Sequence, residues 1–148
     1  MPEYADIYVL AKDRSIRSVE LFLDQFLPDR ENAADEYELP QYADEPEEIY
    51  TVPLPVLKQC ESNSKLEYRF YWRALNQRKP EHAIIIFLND GEVVYGLSTD
   101  ASDEEFVAAV YRRMKEYLET ECGFVGYEHC PDFNNLAEFE SEVENNKP

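Results

Sequence analysis

The segment from Leu66 to Arg73, LEYRFYWR, decides the fold, because its side chains alternate in character along the chain. Every second residue from Leu66 to Trp72 is aliphatic or aromatic, and the residues between them are charged or carry a hydroxyl group. Successive side chains of a β-strand point to opposite faces of a sheet. This period of two therefore predicts a strand with one buried aromatic face.

Two further strands are predicted directly after this one. Residues 82–88 and 92–97 are rich in Ile, Val and Leu, and they flank Asn89, Asp90 and Gly91. An Asp-Gly pair supplies the positive φ angles that a tight hairpin turn needs. We therefore expect a three-stranded antiparallel meander.

Helical periodicity on either side of the meander predicts two main helices. Apolar residues recur three or four positions apart from Ile16 to Phe26, after the N-cap residue Ser15. A second such run begins after Ser102, which forms a capping box with Glu105 and is the expected N-cap, and Gly123 is placed to end the helix. With shorter strands near 4–11, 49–52 and 124–128, residues 1–148 are predicted to form a single α+β domain. We expect an antiparallel sheet of about four to five strands with the two main helices packed on it.

The strongest compositional signal is negative charge. The chain has 32 acidic and 14 basic residues and a formal net charge of −18. Such a surface repels nucleic acid and anionic lipid and attracts basic proteins. No apolar run approaches the roughly 18 residues that a bilayer-spanning helix needs. We expect a partner that is a basic protein, and neither nucleic acid nor membrane.

Much of this charge lies in two segments. Residues 29–48 hold nine acidic residues and one basic residue, Arg30, and residues 132–148 form an acidic C-terminal segment. The first segment is interpreted either as a solvated surface loop or as an arm that docks on a partner, because its tyrosines could act as anchors inside a charged rim. The partner-binding residues expected in this segment and directly after it are Asp35, Glu36, Tyr37, Glu38, Tyr42, Asp44, Glu45, Glu47, Glu48 and Tyr50.

A second candidate site lies on the charged face of the strand 66–73. Arg69, Tyr71 and Arg73 form a row that could bind a carboxylate or phosphate ligand. The alternative is that these arginines pair with acidic residues across the sheet. Both interpretations stay open at this point.

The sequence offers no catalytic, metal or cofactor motif. It contains no glycine-rich phosphate loop, nucleophile elbow or metalloprotease helix. Cys122, His129 and Cys130 have the wrong spacing for structural zinc, so we expect no metal and no cofactor. Three cysteines without a disulfide framework, and no secretory leader, favour a reducing cytoplasm.

These observations favour a non-enzymatic acidic protein that binds a basic protein. In size, acidity, α+β pattern and lack of catalytic motifs, the chain resembles the small bacterial immunity proteins that inhibit cognate toxins. The resemblance implies an inhibitor whose partner is a toxin such as a nuclease, and it implies no particular site residues. Two alternatives remain: a small-ligand-binding domain or enzyme with a pocket between sheet and helix, and an accessory or self-associating subunit.

Overall fold

The computed structural model describes residues 3–127 and 132–147, and it has α+β architecture. The main sheet contains six strands in the order β2-β5-β6-β7-β1-β8, and every neighbouring pair is antiparallel. A separate two-stranded sheet pairs β3 with β4. The strands are β1 (Tyr4–Ala11), β2 (Arg30–Asn32), β3 (Tyr37–Leu39), β4 (Glu48–Tyr50), β5 (Tyr68–Ala74), β6 (His82–Phe87), β7 (Val93–Asp100) and β8 (Gly123–Tyr127).

The described residues form four helices rather than two: α1 (Ile16–Phe26), α2 (Leu54–Ser62), α3 (Glu104–Leu118) and α4 (Leu136–Asn145). The expected count of four to five strands is also too low for the main sheet. The difference arises partly at β2, which has only three residues and is therefore too short to show a period of two. The α+β class and the antiparallel sheet are confirmed.

The predicted meander is β5-β6-β7, with Phe70 opposite Ile85 and Ile85 opposite Tyr95. Ser15 caps α1 by accepting a hydrogen bond from the Ser18 amide. The prediction for α3 is wrong at both ends. Its N-cap is Asp103, since Ser102 lies in a turn in which its amide donates to Asp100. The helix ends at Leu118, five residues before Gly123.

The two faces of the main sheet are covered differently. The first face carries the predicted aromatic row Tyr68, Phe70 and Trp72, and it packs against α1, α2 and α3 in the larger of two hydrophobic clusters. The second face packs against α4 and the chain before it, where Phe133 and Phe139 contact the smaller cluster. A helix on only one part of the second face leaves room for a site on the rest of it.

Arg14 connects the loop between β1 and α1 to three other parts of the chain. Its guanidinium donates hydrogen bonds of 2.9–3.2 Å to five backbone carbonyl groups. It also lies 4.9 Å from the centre of the Phe87 ring. The carbonyl groups belong to the end of α2, the chain that enters β5, and the turn between β6 and β7: Cys60, Asn63, Leu66, Leu88 and Glu92. These carbonyl groups would otherwise lack part of their hydrogen bonding.

Candidate functional site

A cavity of about 330 Å³ opens on the part of the second face that lies beyond α4 and Phe133. Gly96 lies beneath two of its lining residues, because an added Cβ would be only 2.6 Å from Ile84 Cγ2 and 3.0 Å from the Tyr8 ring. The side chains of Ile84 and Tyr8 therefore close over this position. The cavity is lined by Asp6, Tyr8, Ala33, Arg69, Tyr71, Trp72, His82, Ala83, Ile84 and Ser98.

A row of polar side chains crosses the sheet at this cavity. The strand registers place Arg73 opposite His82, His82 opposite Ser98, and Ser98 opposite Asp6. Burial raises the pKa of Asp6, while a hydrogen bond with Ser98 and the nearby His82 oppose that shift. The Tyr4 ring packs edge-on against His82 at 5.6 Å. A histidine, a serine and an aspartate, which form the catalytic triad in many hydrolases, thus lie on three neighbouring strands.

Their order does not match a catalytic triad. A triad needs histidine between the serine that it deprotonates and the carboxylate that orients it. Here Ser98 lies between His82 and Asp6, whose backbones are about 10 Å apart at the usual strand spacing of about 4.8 Å. The row can offer hydrogen bonds to a ligand, but this arrangement does not activate Ser98 as a nucleophile.

The acidic segment is held against the protein by several contacts. We call residues 37–50, which contain β3, β4 and the chain between them, the acidic hairpin. The Tyr68 hydroxyl donates to the Glu38 carbonyl at 2.9 Å. The Gln41 side chain makes two hydrogen bonds to the Arg69 backbone, at 2.7 and 2.8 Å. Among the described residues, no strand pairs with β5 on this side at Arg69, and the Gln41 side-chain amide bonds to the Arg69 backbone in its place. These hydrogen bonds fix the hairpin to the sheet.

Tyr42 brings the two predicted sites together. It has a φ of 64° at the tip of the hairpin and is 70% exposed. Partial burial of its hydroxyl and a hydrogen bond with Tyr71 raise the pKa of Tyr42 to about 12. Arg69 lines the cavity beside them and donates to the Phe133 carbonyl at 3.3 Å. The hairpin tip therefore contacts the cavity through Tyr71, which is one of its lining residues.

The two predicted arginines have different surroundings. Arg73 is exposed and pairs with Glu31 at 2.5 Å, which raises the pKa of the Arg73 guanidinium. Arg73 therefore pairs with an acidic residue on the neighbouring strand, which is the alternative to ligand binding. Arg69 makes no ion pair with a described carboxylate, and its guanidinium lies 5.6 Å from the centre of the Phe133 ring. The cavity thus contains one arginine whose charge is not balanced by direct pairing.

The three tyrosines expected to bind a partner are not equivalent. Tyr37 is only 2% exposed and stacks on Phe70, so its ring belongs to the core. Tyr50 is half-buried, and its hydroxyl donates to Glu48. Only Tyr42 presents most of its ring to solvent. The position of Tyr37 makes it a support for the hairpin rather than an exposed contact.

The acidic residues separate into two groups. Asp29 and Glu31 form ion pairs with Arg78 and Arg73. Glu38 is half-buried and accepts a hydrogen bond from the Tyr42 amide. The other six carboxylates of the segment are exposed and form no ion pair with any residue that the structure describes: Asp35, Glu36, Asp44, Glu45, Glu47 and Glu48.

The structure adds three apolar residues that the sequence analysis did not assign to a site. Ile49, Val52 and Leu54 are 54%, 51% and 43% exposed. They follow Glu47 and Glu48 directly, at the end of the hairpin and the start of α2. Their signal in the sequence is an apolar residue at every second or third position after an acidic run, a pattern that predicts only a short strand at 49–52. Exposed apolar side chains next to carboxylates without ion pairs are typical of a protein-binding surface.

The thiols and acidic groups offer no second chemical site within residues 3–127 and 132–147. No group of three or more His, Cys, Asp or Glu side chains there could hold a metal ion. Burial raises the pKa of Cys60 to about 12 and also raises that of Cys122, so neither thiol is activated. His129 and Cys130 lie outside the described residues. None of the described helices combines the length and apolar character needed to cross a bilayer.

Comparison with known proteins gives no relative from which a function could be transferred. No family model, no curated protein and no solved structure matches the chain.

Proposed function

We propose that the chain is a non-enzymatic binding protein whose acidic hairpin engages a basic protein partner, in the manner of an immunity or inhibitor protein. One observation carries this proposal. Six exposed carboxylates, which have no ion-pair partner in the part of the chain that the structure describes, stand on and beside a hairpin that is fixed to the sheet, next to exposed apolar side chains. The acidic surface supplies attraction, and the apolar residues supply contact area.

The fixed position of the hairpin supports binding rather than a solvated loop. Its tip is bonded to the β5 backbone through Gln41, and Tyr37 and Leu39 are buried beneath it. A partner that binds such a segment need not order it first, so less of the interaction energy is lost as conformational entropy. The carboxylates repel one another in the free protein. A cationic partner relieves this repulsion when it binds.

The apolar residues give the surface its anchors. Ile49 lies opposite Glu38 in the hairpin register, so an apolar and an acidic side chain share the solvent-facing side of the two strands. Tyr42 adds an exposed ring at the tip. Energetically important residues in protein interfaces are often apolar or aromatic groups surrounded by a polar rim. Opposite charge speeds the encounter, and such anchors then slow dissociation.

The test compares two variants that lose the same amount of charge. In the hairpin variant, Asp44, Glu45 and Glu47 of the hairpin and Glu36, which directly precedes it, are replaced by their amides. In the control variant, Glu3, Glu20, Glu116 and Glu119, which are exposed and outside the hairpin, are replaced by Gln. Each variant removes four negative charges and so changes the formal net charge from −18 to −14. Any difference between them reports position rather than net charge.

Each protein is immobilised and exposed to a lysate of its native source at low ionic strength, and bound protein is eluted with salt. We expect the wild type and the control variant to retain the same basic protein, and the hairpin variant to lose it. Equal loss in both variants would mean that only total charge matters. If no protein is retained and a small molecule copurifies instead, the proposal is wrong and a ligand in the cavity on the second face becomes the better explanation.

A further inference from the structure

The strand β8 forms a free edge of the main sheet, because it is last in the strand order. The Leu10 amide donates to the Cys122 carbonyl at 2.8 Å, immediately before β8 begins. Hydrogen-bonded pairs alternate with non-bonded pairs in an antiparallel ladder. Phe124 and Gly126 therefore bond to β1 opposite Tyr8 and Asp6. The amide and carbonyl groups of Gly123, Val125 and Tyr127 point away from the sheet.

A groove of about 440 Å³ runs along this edge. Tyr111 of α3 forms one wall, and Val143 of α4 forms the other. Val125 is half-buried and Tyr127 is 45% exposed, so the edge is accessible between the two helices. Other residues that line the groove include Glu121, Gly123 and Lys147. Outward-pointing backbone groups at the floor of a groove can pair with a further strand.

The charge beside the groove indicates which kind of peptide segment could pair with β8. Helix α4 carries four glutamates and no basic residue. Glu121, Glu140 and Glu144 also line an adjoining cavity of about 570 Å³. Lys147 pairs with Glu144 at 2.8 Å, and Lys115 lies 3.5 Å from Glu121. Glu140 is exposed and forms no ion pair with a described residue. The lining of the groove itself carries one acidic residue, Glu121, and one basic residue, Lys147. The surplus of negative charge lies beside the groove, on the glutamates of α4 that include Glu140.

We propose that β8 accepts an extended cationic segment of a partner protein as a seventh antiparallel or parallel strand of the main sheet. Main-chain hydrogen bonds to Val125 and Tyr127 would hold the segment, and its Lys or Arg side chains would reach Glu140 and Glu121. This surface is distinct from the acidic hairpin, which is bonded to β5 near the other edge of the sheet. The inference does not depend on the function proposed for the hairpin.

The probe is a synthetic peptide of alternating Lys and Val, with a peptide of alternating Glu and Val as its charge control. Val125→Pro removes one outward amide, and proline is tolerated at such edge positions because that amide does not bond within the sheet. Val125→Ala is the matched variant, because it also loses the isopropyl group but keeps the amide. Peptide affinity is measured by fluorescence anisotropy, and amide exchange is followed by NMR.

We expect the Lys-Val peptide to slow amide exchange at Val125 and Tyr127. Val125→Pro should weaken its binding by about tenfold or more, while Val125→Ala should bind within about threefold of the wild type. The hairpin variant should bind this peptide like the wild type, which separates this inference from the proposed function. Binding that leaves β8 exchange unchanged, or equal binding of the Glu-Val peptide, would overturn the inference.

Two further outcomes also decide the question. If Val125→Pro does not fold, amide exchange in the wild-type protein still tests whether the peptide covers β8. If sedimentation shows a dimer of the wild type that Val125→Pro dissociates, the edge binds a second copy of the chain. That result would overturn the assignment to a cationic partner segment.

Discussion

Replacing Arg14 by Ala should cause one of the largest losses of stability available from a single substitution in this chain. The guanidinium donates to five carbonyl groups from three regions that are distant in sequence. A hydrogen bond to a charged group contributes about 1.5–3 kcal/mol, but bonds that share one side chain are not additive. Burial lowers the pKa of Arg14, which shows that part of its hydration has been lost.

Because water can replace some of these bonds at a half-buried site, we expect the free energy of unfolding to fall by about 3–5 kcal/mol. This corresponds to a decrease in the thermal midpoint on the order of 10 °C for a chain of this length. Arg14→Lys should lose roughly half as much, since an ammonium group keeps the charge but cannot reach all five carbonyls.

Stability is measured by urea denaturation, with circular dichroism as the readout. We expect the m-value, which is the slope of the unfolding free energy against urea concentration, to be the same for all variants. Arg17→Ala is the control, because Arg17 is an exposed arginine of α1 and should change stability by no more than about 0.5 kcal/mol. If Arg14→Ala costs less than about 1 kcal/mol, these carbonyl contacts do not hold the parts of the chain together as described.

Three further substitutions test other features of the structure, each by denaturation. Tyr37→Phe should raise the free energy of unfolding by about 1 kcal/mol, because the buried Tyr37 hydroxyl has no hydrogen-bond partner among the described residues; a loss of stability would reveal a partner. Gly96→Ala should cost about 1–3 kcal/mol, because its Cβ would contact Ile84 at 2.6 Å, and a neutral result would mean that the Ile84 and Tyr8 side chains move aside freely. Asp6→Asn tests the raised pKa of Asp6: folding disfavours its charged form, so the wild type loses stability as pH rises above 3.8, the ordinary pKa of an aspartate. The variant should therefore be the more stable form at pH 7, and its advantage should disappear below that pKa; an advantage that is independent of pH would contradict this explanation.

The sequence predicts the centre of the sheet better than its edges. The alternation in Tyr68, Phe70 and Trp72 reports burial on one face directly, and the Asp-Gly pair marks the turn after β6. Strands of three residues, such as β2, form because neighbouring strands and buried side chains support them. Their local sequence carries too few positions to show a period.

Contacts between distant parts of the chain have no local sequence pattern, both in the general fold and in the candidate site. In the fold, Arg14 is a charged residue in a loop, and its partners are backbone carbonyls that any residue can supply. The cavity exists because α4 covers one part of the second face and not the rest, which is a tertiary property. Tyr37 and Tyr42 look alike in sequence, yet one is in the core and the other is at the hairpin tip. The composition of the acidic segment indicated a surface, but only the fold distinguishes its paired from its unpaired carboxylates.

The most direct test of the account is the association rate between the captured basic partner and the three proteins: wild type, hairpin variant and control variant. The rate is measured by stopped-flow fluorescence at several ionic strengths. We expect the hairpin variant to associate about tenfold more slowly at low salt, with a weaker salt dependence, and the control variant to stay within about threefold of the wild type. Equal rates for the hairpin variant and the wild type would contradict the central claim that the acidic hairpin meets the partner.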